Sequence, residues 1–259
     1  MTQQATAELE RYTTFAVGVA REAGTVSTRY FRTGVSVETK DDDSPVTVAD
    51  RETERVMRAL ISARFPDHGI LGEEAGLERP DSPWQWIIDP IDGTKSFIHG
   101  IPLYTQLIAL AHEGVPLLGV IHNPVLEETV WAYTGGGCFY NGNPTRVRTG
   151  VTLGAAWVQT CDPADLAHRK PGFTSTLLSS IGAMRTWSDG HGYLLVATGR
   201  ADACLDPVMS AWDIAPLYPI IEEAGGIATS FAGTREPLGD NVIAASPDVH
   251  RAILNLQND

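Results

Sequence analysis

Residues 86–97 read WIIDPIDGTKSF, from Trp86 to Phe97, and this stretch organises the chain around it. The apolar run beginning at Trp84 predicts a buried strand that ends at Asp89, followed by a turn and a helical turn from Lys95. Downstream, TQLIALAHEGVPLLGVIHNP places two apolar runs around His112-Glu113-Gly114, a hairpin signal. Glycine-rich and Asn-Gly turns carry the pattern on as antiparallel strands. Upstream, Leu9, Tyr12, Phe15, Ala16, Val19 and Ala20 repeat at helical spacing, which predicts an amphipathic helix over residues ~5–31. The acidic, aperiodic segment from Thr33 to Pro45 reads as a mobile surface loop. A second helix is expected to start near Asp50 and close at Pro66.

Residues 1–150 thus read as an α+β half. Residues 151–259 alternate as an α/β half, with strands at Trp157–Thr160 and NVIAAS. Its helices are expected near Phe173–Ile181, from Asp213 to Ala224 and at His250–Leu256. There is no repeat, low-complexity tract or long linker, so the halves should share a large interface with a site between them.

A hydrophobic content of 43% over 259 residues is enough for a sizeable core, in one large domain or two. The net charge of -13 argues against nucleic acid or an anionic membrane as partner, because polyanions are met by basic surfaces. Cys138, Cys161 and Cys204 are unpatterned, as expected for buried thiols in a reducing compartment. The N-terminus lacks the pattern of a signal peptide and no run approaches a membrane span, so the expected location is the cytoplasm.

Glu73, Asp89, Asp92 and Asp213 sit beside apolar or turn residues rather than on charged faces. Singly, Asp92-Gly93 reads as a turn and Asp213 as a helix cap. Together, convergent carboxylates suit two adjacent hard divalent cations such as Mg²⁺, which activate water and neutralise phosphoryl charge. Gly93-Thr94 adds backbone N–H groups for a phosphate and a hydroxyl to orient water. Phosphatases that phosphorylate an aspartate on the haloacid-dehalogenase fold place two acids at i and i+2. Here the spacing is i and i+3, which favours attack by water.

These residues resemble the inositol monophosphatase superfamily of Mg²⁺-dependent, lithium-sensitive phosphatases. SPVTVAD, GEE, WIIDPIDGTKSF and AWDIAPLYPIIEEAGG occur in the family order over nearly the whole chain. The resemblance implies a layered αβαβα sandwich, usually a homodimer. It implies two or three Mg²⁺ ions held by Glu73, Asp89, the Ile91 carbonyl, Asp92 and Asp213, with Asp89 bridging. Glu73 and Thr94 would position the nucleophilic water, with Asp92 also in the catalytic set, and Gly93 and Thr94 would seat the phosphate. Asp50 would serve a third ion or support the ligands near the loop around Lys40.

Lys95-Ser96-Phe97 departs from the Thr-Asn pattern of inositol-cleaving members and, with SDGHGYLLVATGRADACLDPVMSAWD, looks closest to the histidinol-phosphate phosphatase branch of histidine biosynthesis. Asp189 and Asp206 would suit a cationic leaving group. Lys95 and Arg200 are further substrate candidates, Arg200 also as a structural partner of one of those acids. Inositol phosphate, a sugar or nucleotide phosphate, and a silent metal- or ligand-binding module are the alternatives. Pro219 is expected to kink the helix beginning at Asp213. The histidines form no zinc pattern, His191 alone falling in a pocket segment, and Trp212 is expected to pack under Asp213. Glu74 reads as the solvated member of its pair.

Overall fold

The computed structural model describes residues 3–40 and 45–257. Helix α1 (Gln3–Thr28) leads to an antiparallel hairpin of β1 (Val37–Thr39) and β2 (Pro45–Thr47), and then to α2 (Val48–Arg64). Next come β3 (Gly69–Gly72), β4 (Gly76–Glu78), β5 (Trp84–Asp92), α3 (Thr94–Ile98), β6 (Thr105–His112), β7 (Val115–Asn123), β8 (Glu128–Tyr133), β9 (Gly137–Tyr140) and β10 (Asn143–Pro144). Among the described residues these strands form one sheet in the order β10-β9-β8-β7-β6-β5-β3-β4, antiparallel except for the β3/β5 pair. The β6–β7 turn pairs His112 with Val115, and Glu113 and Gly114 both take positive φ, 50° and 78°. That is the twist a two-residue hairpin turn requires.

The chain continues through β11 (Trp157–Gln159), α4 (Pro163–Arg169), α5 (Pro171–Ser180), β12 (Ala183–Arg185), α6 (Asp189–Ala197) and β13 (Ala203–Asp206). It ends with α7 (Ala211–Ile214), α8 (Leu217–Glu223), β14 (Ile227–Thr229), β15 (Val242–Ala245) and α9 (Pro247–Asn255). The second sheet has the order β12-β11-β13-β15-β14, parallel across β12-β11-β13 and antiparallel beyond.

Three buried seams stack these elements into an αβαβα sandwich. Ala16, Ala20, Met57 and Ile61 of α1 and α2 pack on Trp86, Ile88 and Ile108 of the first sheet. Between the sheets, Tyr193, Leu217 and Ile221 of α6 and α8 join Ile121 and Val130 to Cys204 and Val242. On the far face, Leu166, Leu177, Val249 and Ile253 cover Val158, Leu205 and Ile243. Strand β5 is buried on both faces, with Ile87 meeting Ala215 and Trp212 on the inner side, which is why Trp86, Ile87 and Ile88 are all apolar.

Several elements differ from the sequence reading. Part of the segment read as a loop is the strand β1, held by Glu38 accepting two hydrogen bonds from Arg51; Asp41 to Ser44 of that loop lie outside the described residues. Helix α2 starts at Val48 because Thr47 caps it and Asp50, at its third position, closes a capping box. The helix expected from Asp213 to Ala224 is two short helices, and the interruption lies at Ala215-Pro216, not at Pro219. Pro219 sits in the first turn of α8, where its missing N–H costs no ladder bond. The α7–α8 junction also presses on β7, for a Cβ at Gly119 would lie 2.1 Å from the Pro216 carbonyl oxygen.

Candidate active site

Strand β5 runs past Asp89 to Asp92 because a bulge fits three β5 steps against two on β6: Asp89 pairs with Leu107 and Asp92 with Thr105. Pro90, which has no N–H to give the ladder, sits within the irregularity. Within it Asp89 Oδ1 accepts the Ile91 N–H at 3.0 Å, and Asp92 Oδ2 accepts from Thr105 Oγ1 at 2.9 Å and from the Gly190 N–H at 2.5 Å. Helix α7 delivers the third acid: Ser210 caps it and Asp213 Oδ2 accepts the Ser210 N–H at 2.7 Å.

One oxygen each from Asp89, Asp92 and Asp213 lies within 4.8 Å of the others. Burial, then the neighbouring carboxylates, hold Asp89 and Asp92 well above the usual carboxylate range. Burial is the first cause for Asp213 too, which is pushed up to about 7. Three hard oxygen donors, crowded and desolvated, suit a divalent cation, which would relieve the repulsion they impose on one another.

Beside the cluster, Gly93 turns the chain at φ 86°, a conformation that favours glycine, and starts α3. Thr94 Oγ1 reaches the Ile91 carbonyl at 3.1 Å and Asp50 Oδ1 at 3.3 Å. Asp50, only 1% exposed, is itself fixed by the Thr47 N–H and hydroxyl at 2.8 and 2.6 Å. A cleft of about 590 Å³ opens beside these groups, lined by Glu73, Gly93, Thr94 and Asp213 together with Lys95, His99, Asp162, Trp187, Asp189 and Val208.

The family model described as "Inositol monophosphatase family" matches residues 8–259. The chain belongs to the inositol monophosphatase family. This family member is a phosphatase acting on phosphate monoesters. It is 40% identical over 242 residues to a histidinol-phosphatase of Chlorobaculum parvum, covering 92% of this chain and 93% of that one. It is 34% identical to an inositol-1-monophosphatase of Mesorhizobium japonicum, covering 92% of each. In structure it matches the extragenic suppressor protein suhB of Bartonella henselae with a TM-score of 0.90 at 28% identity, over 95% of this chain and 98% of that one.

In this inositol monophosphatase-family protein, Glu73 stands outside the three-aspartate cluster. Its Oε1 accepts from Lys40 Nζ at 2.7 Å, and Lys40 reaches Glu74 at the same distance. Glu74 is not the solvated member of its pair, since its side chain is 8% exposed against 19% for Glu73. The cause is local: the Glu74 N–H is held by Glu54, which turns its carboxylate inward toward Lys40.

Asp189 lies against Gly93, where a Cβ would sit 2.8 Å from its Oδ2, and it accepts from Ser96 Oγ at 3.3 Å. Burial first, then Asp206, push it up to about 7. Asp206 lines an inner chamber of about 110 Å³ and is fully engaged by Tyr193, Thr160 and the Cys161 N–H. Arg200 meets neither Asp189 nor Asp206. It grips Glu128 through two bonds of 2.8 and 3.1 Å, with its guanidinium over Tyr140, away from the residues that line the cleft. Lys95 is exposed on the cleft wall. His191 is buried beside Asn123, and burial pulls it down to about 4.

Sequence reasoning missed Thr105, Gly190, Asp162 and Trp187. The first two are recognisable only once the bulge and α6 bring them to Asp92. Trp187 does carry a structural signal, a positive φ of 64° in a bulky residue that is 43% exposed.

Proposed function

We propose that this phosphatase hydrolyses L-histidinol phosphate to L-histidinol with Mg²⁺, by water attack and without a covalent intermediate. The observation that carries the chemistry is the Asp89, Asp92 and Asp213 cluster set beside the Gly93-Thr94 turn. Asp89, Asp92, Asp213, Glu73 and the Ile91 carbonyl would hold the ions. Bound there, Mg²⁺ supplies Lewis-acid charge and a water of lowered pKa.

The chain's own groups do the positioning. The N–H groups that open α3 have no intrahelical acceptor and would seat a phosphate oxygen at Gly93-Thr94. Thr94 Oγ1 has its proton committed to Ile91 O or Asp50, leaving lone pairs to accept from the attacking water. Glu73 is the second acceptor for that water. Asp162 and Asp189 add carboxylates to the cleft lining beside Lys95, which supports an amine-bearing alcohol over a neutral polyol. Similarity to the Chlorobaculum parvum enzyme supports the same substrate.

Inositol 1-phosphate is the second reading, supported by the Mesorhizobium japonicum relative. Phosphate release with Mg²⁺ from histidinol phosphate, inositol 1-phosphate, fructose 1,6-bisphosphate and a nucleotide monophosphate tests the choice. The proposal requires the highest kcat/KM on histidinol phosphate. A preference for inositol 1-phosphate would replace it, and silence across the panel would favour a binding role. A homodimer in the cytoplasm belongs to the same reading, and light scattering checks its mass.

A further inference from the structure

Asp92 is held from two directions by residues far apart in sequence. Thr105, wholly buried on β6, donates its hydroxyl to Asp92 Oδ2 at 2.9 Å, and the Gly190 N–H at the start of α6 donates to the same oxygen at 2.5 Å. The approach leaves no room for a side chain: a Cβ on Gly190 would lie 2.4 Å from Asp92 Oδ2 and 2.5 Å from Thr105 Oγ1. The chain entering α6 is bent to reach this place, for Trp187 and Asp189 both take left-handed φ values, 64° and 37°. Non-glycine residues hold such angles at a cost, and this turn brings the Gly190 N–H onto a carboxylate.

We propose that Thr105 is a positioning residue for the reaction. Its hydroxyl, paired with the Gly190 N–H, locks one oxygen of Asp92 and so fixes the direction in which the other is offered to the Asp89 and Asp213 cluster. The inference rests on the reading of Asp92 as a metal ligand. It reaches further, to a wholly buried hydroxyl on β6 outside the carboxylate cluster. Partners that orient a ligand typically change metal affinity or turnover by ~10–100-fold when removed. Valine at position 105 has the shape of threonine without the hydroxyl, while serine keeps the hydroxyl without the methyl.

The test compares Thr105→Val and Thr105→Ser with wild type by calorimetric titration of Mn²⁺ and Mg²⁺, by steady-state kinetics and by melting temperature. Thr105→Val is expected to weaken metal binding, kcat, or both by ~10–100-fold with KM for the phosphate ester little changed, and Thr105→Ser to stay within a few-fold of wild type. If valine does not fold, Thr105→Ala gives the same comparison with serine. Equal losses in the valine and serine variants would show that packing, not the hydroxyl, matters, and wild-type metal binding and kcat in Thr105→Val would also overturn the proposal. Asp92→Asn separates the two readings. If it keeps both metal affinity and turnover, the ligand assignment itself has failed, whereas if it loses them while Thr105→Val is silent, only the positioning role has.

Discussion

Replacing Asp213 by asparagine keeps the side chain's volume and removes one of three ionisable carboxyls packed within a few ångströms. Two consequences should separate. Turnover should fall by at least ~100-fold in Asp213→Asn and in Asp92→Asn, since each removes a charged oxygen donor from the cluster while the amide oxygen can still accept the Ser210 or Gly190 N–H. Stability should not fall with it: without divalent ions, Asp213→Asn should melt at the wild-type temperature or above, because repulsion among desolvated carboxylates has been relieved. Adding Mg²⁺ should raise the wild-type melting temperature by mass action and leave that of the variant nearly unmoved. A large drop in metal-free stability would show that these acids are structural instead. At this scale the acids were legible in the sequence because they stand at the ends of apolar runs, where solvation gives no reason for them. The partners of Glu73 and Asp92 were not, because Lys40, Thr105 and Gly190 reach them through folding rather than through proximity along the chain.

Among the elements, α2 and the α7–α8 junction carry the most instructive constraints. Thr47 both caps α2 and holds Asp50, which in turn contacts Thr94. Thr47→Ala should therefore cost about 1 kcal/mol by urea denaturation, typical of a lost cap, and should also lower kcat. A stability loss with unaltered kcat would break the link from Asp50 to Thr94. Gly119→Ala is expected to be far harsher. Its new methyl would meet backbone, at 2.1 Å from the Pro216 oxygen, so β7 or the segment carrying Asp213 must move. A loss of 2 kcal/mol or more, read from the urea midpoint, is the expectation for such overpacking. Long periodic helices and the central hairpin were legible from their pattern. Short elements such as β1, α4, β12 and β14 were not, because three to seven residues present too little periodicity to be told from loop. The break at Pro216 was misplaced to Pro219 because both prolines lie in a helical pattern, and only capping geometry shows which residue begins a helix.

For the molecule as a whole, acid sensitivity follows from buried rings. His122, hydrogen-bonded to Thr129, and His250, hydrogen-bonded to Thr229, are each pulled down from 6.5 to about 4, in both cases first by burial. A folded-state value below the unfolded one means that the unfolded chain binds more protons between the two. The contribution of each ring is thus complete above 6.5 and is lost as pH falls toward about 4. Urea midpoints measured across that window should fall by up to about 1 kcal/mol per pH unit for each ring. Replacing both by glutamine should reduce the slope, His191 still contributing in the same window, and an unchanged slope would mean that other groups dominate. The mixed α and β class of the fold was legible from the order of apolar periods. The single seam of α6 and α8 between two sheets was not, since periodicity along a helix names its buried face without naming what covers it.

The chain passes from the first sheet to the second between β10 and β11, yet the carboxylate cluster draws on β5 on one side of that crossing and α7 on the other. In time, this places function at the end of folding. The first sheet can assemble its hairpins from neighbouring segments, but Asp92 meets Gly190 and Asp213 only after contacts separated by about a hundred residues have closed, and such non-local closure slows folding. Recovery of enzyme activity during refolding should lag behind recovery of β-sheet signal, and the lag measures how long the second sheet takes to dock.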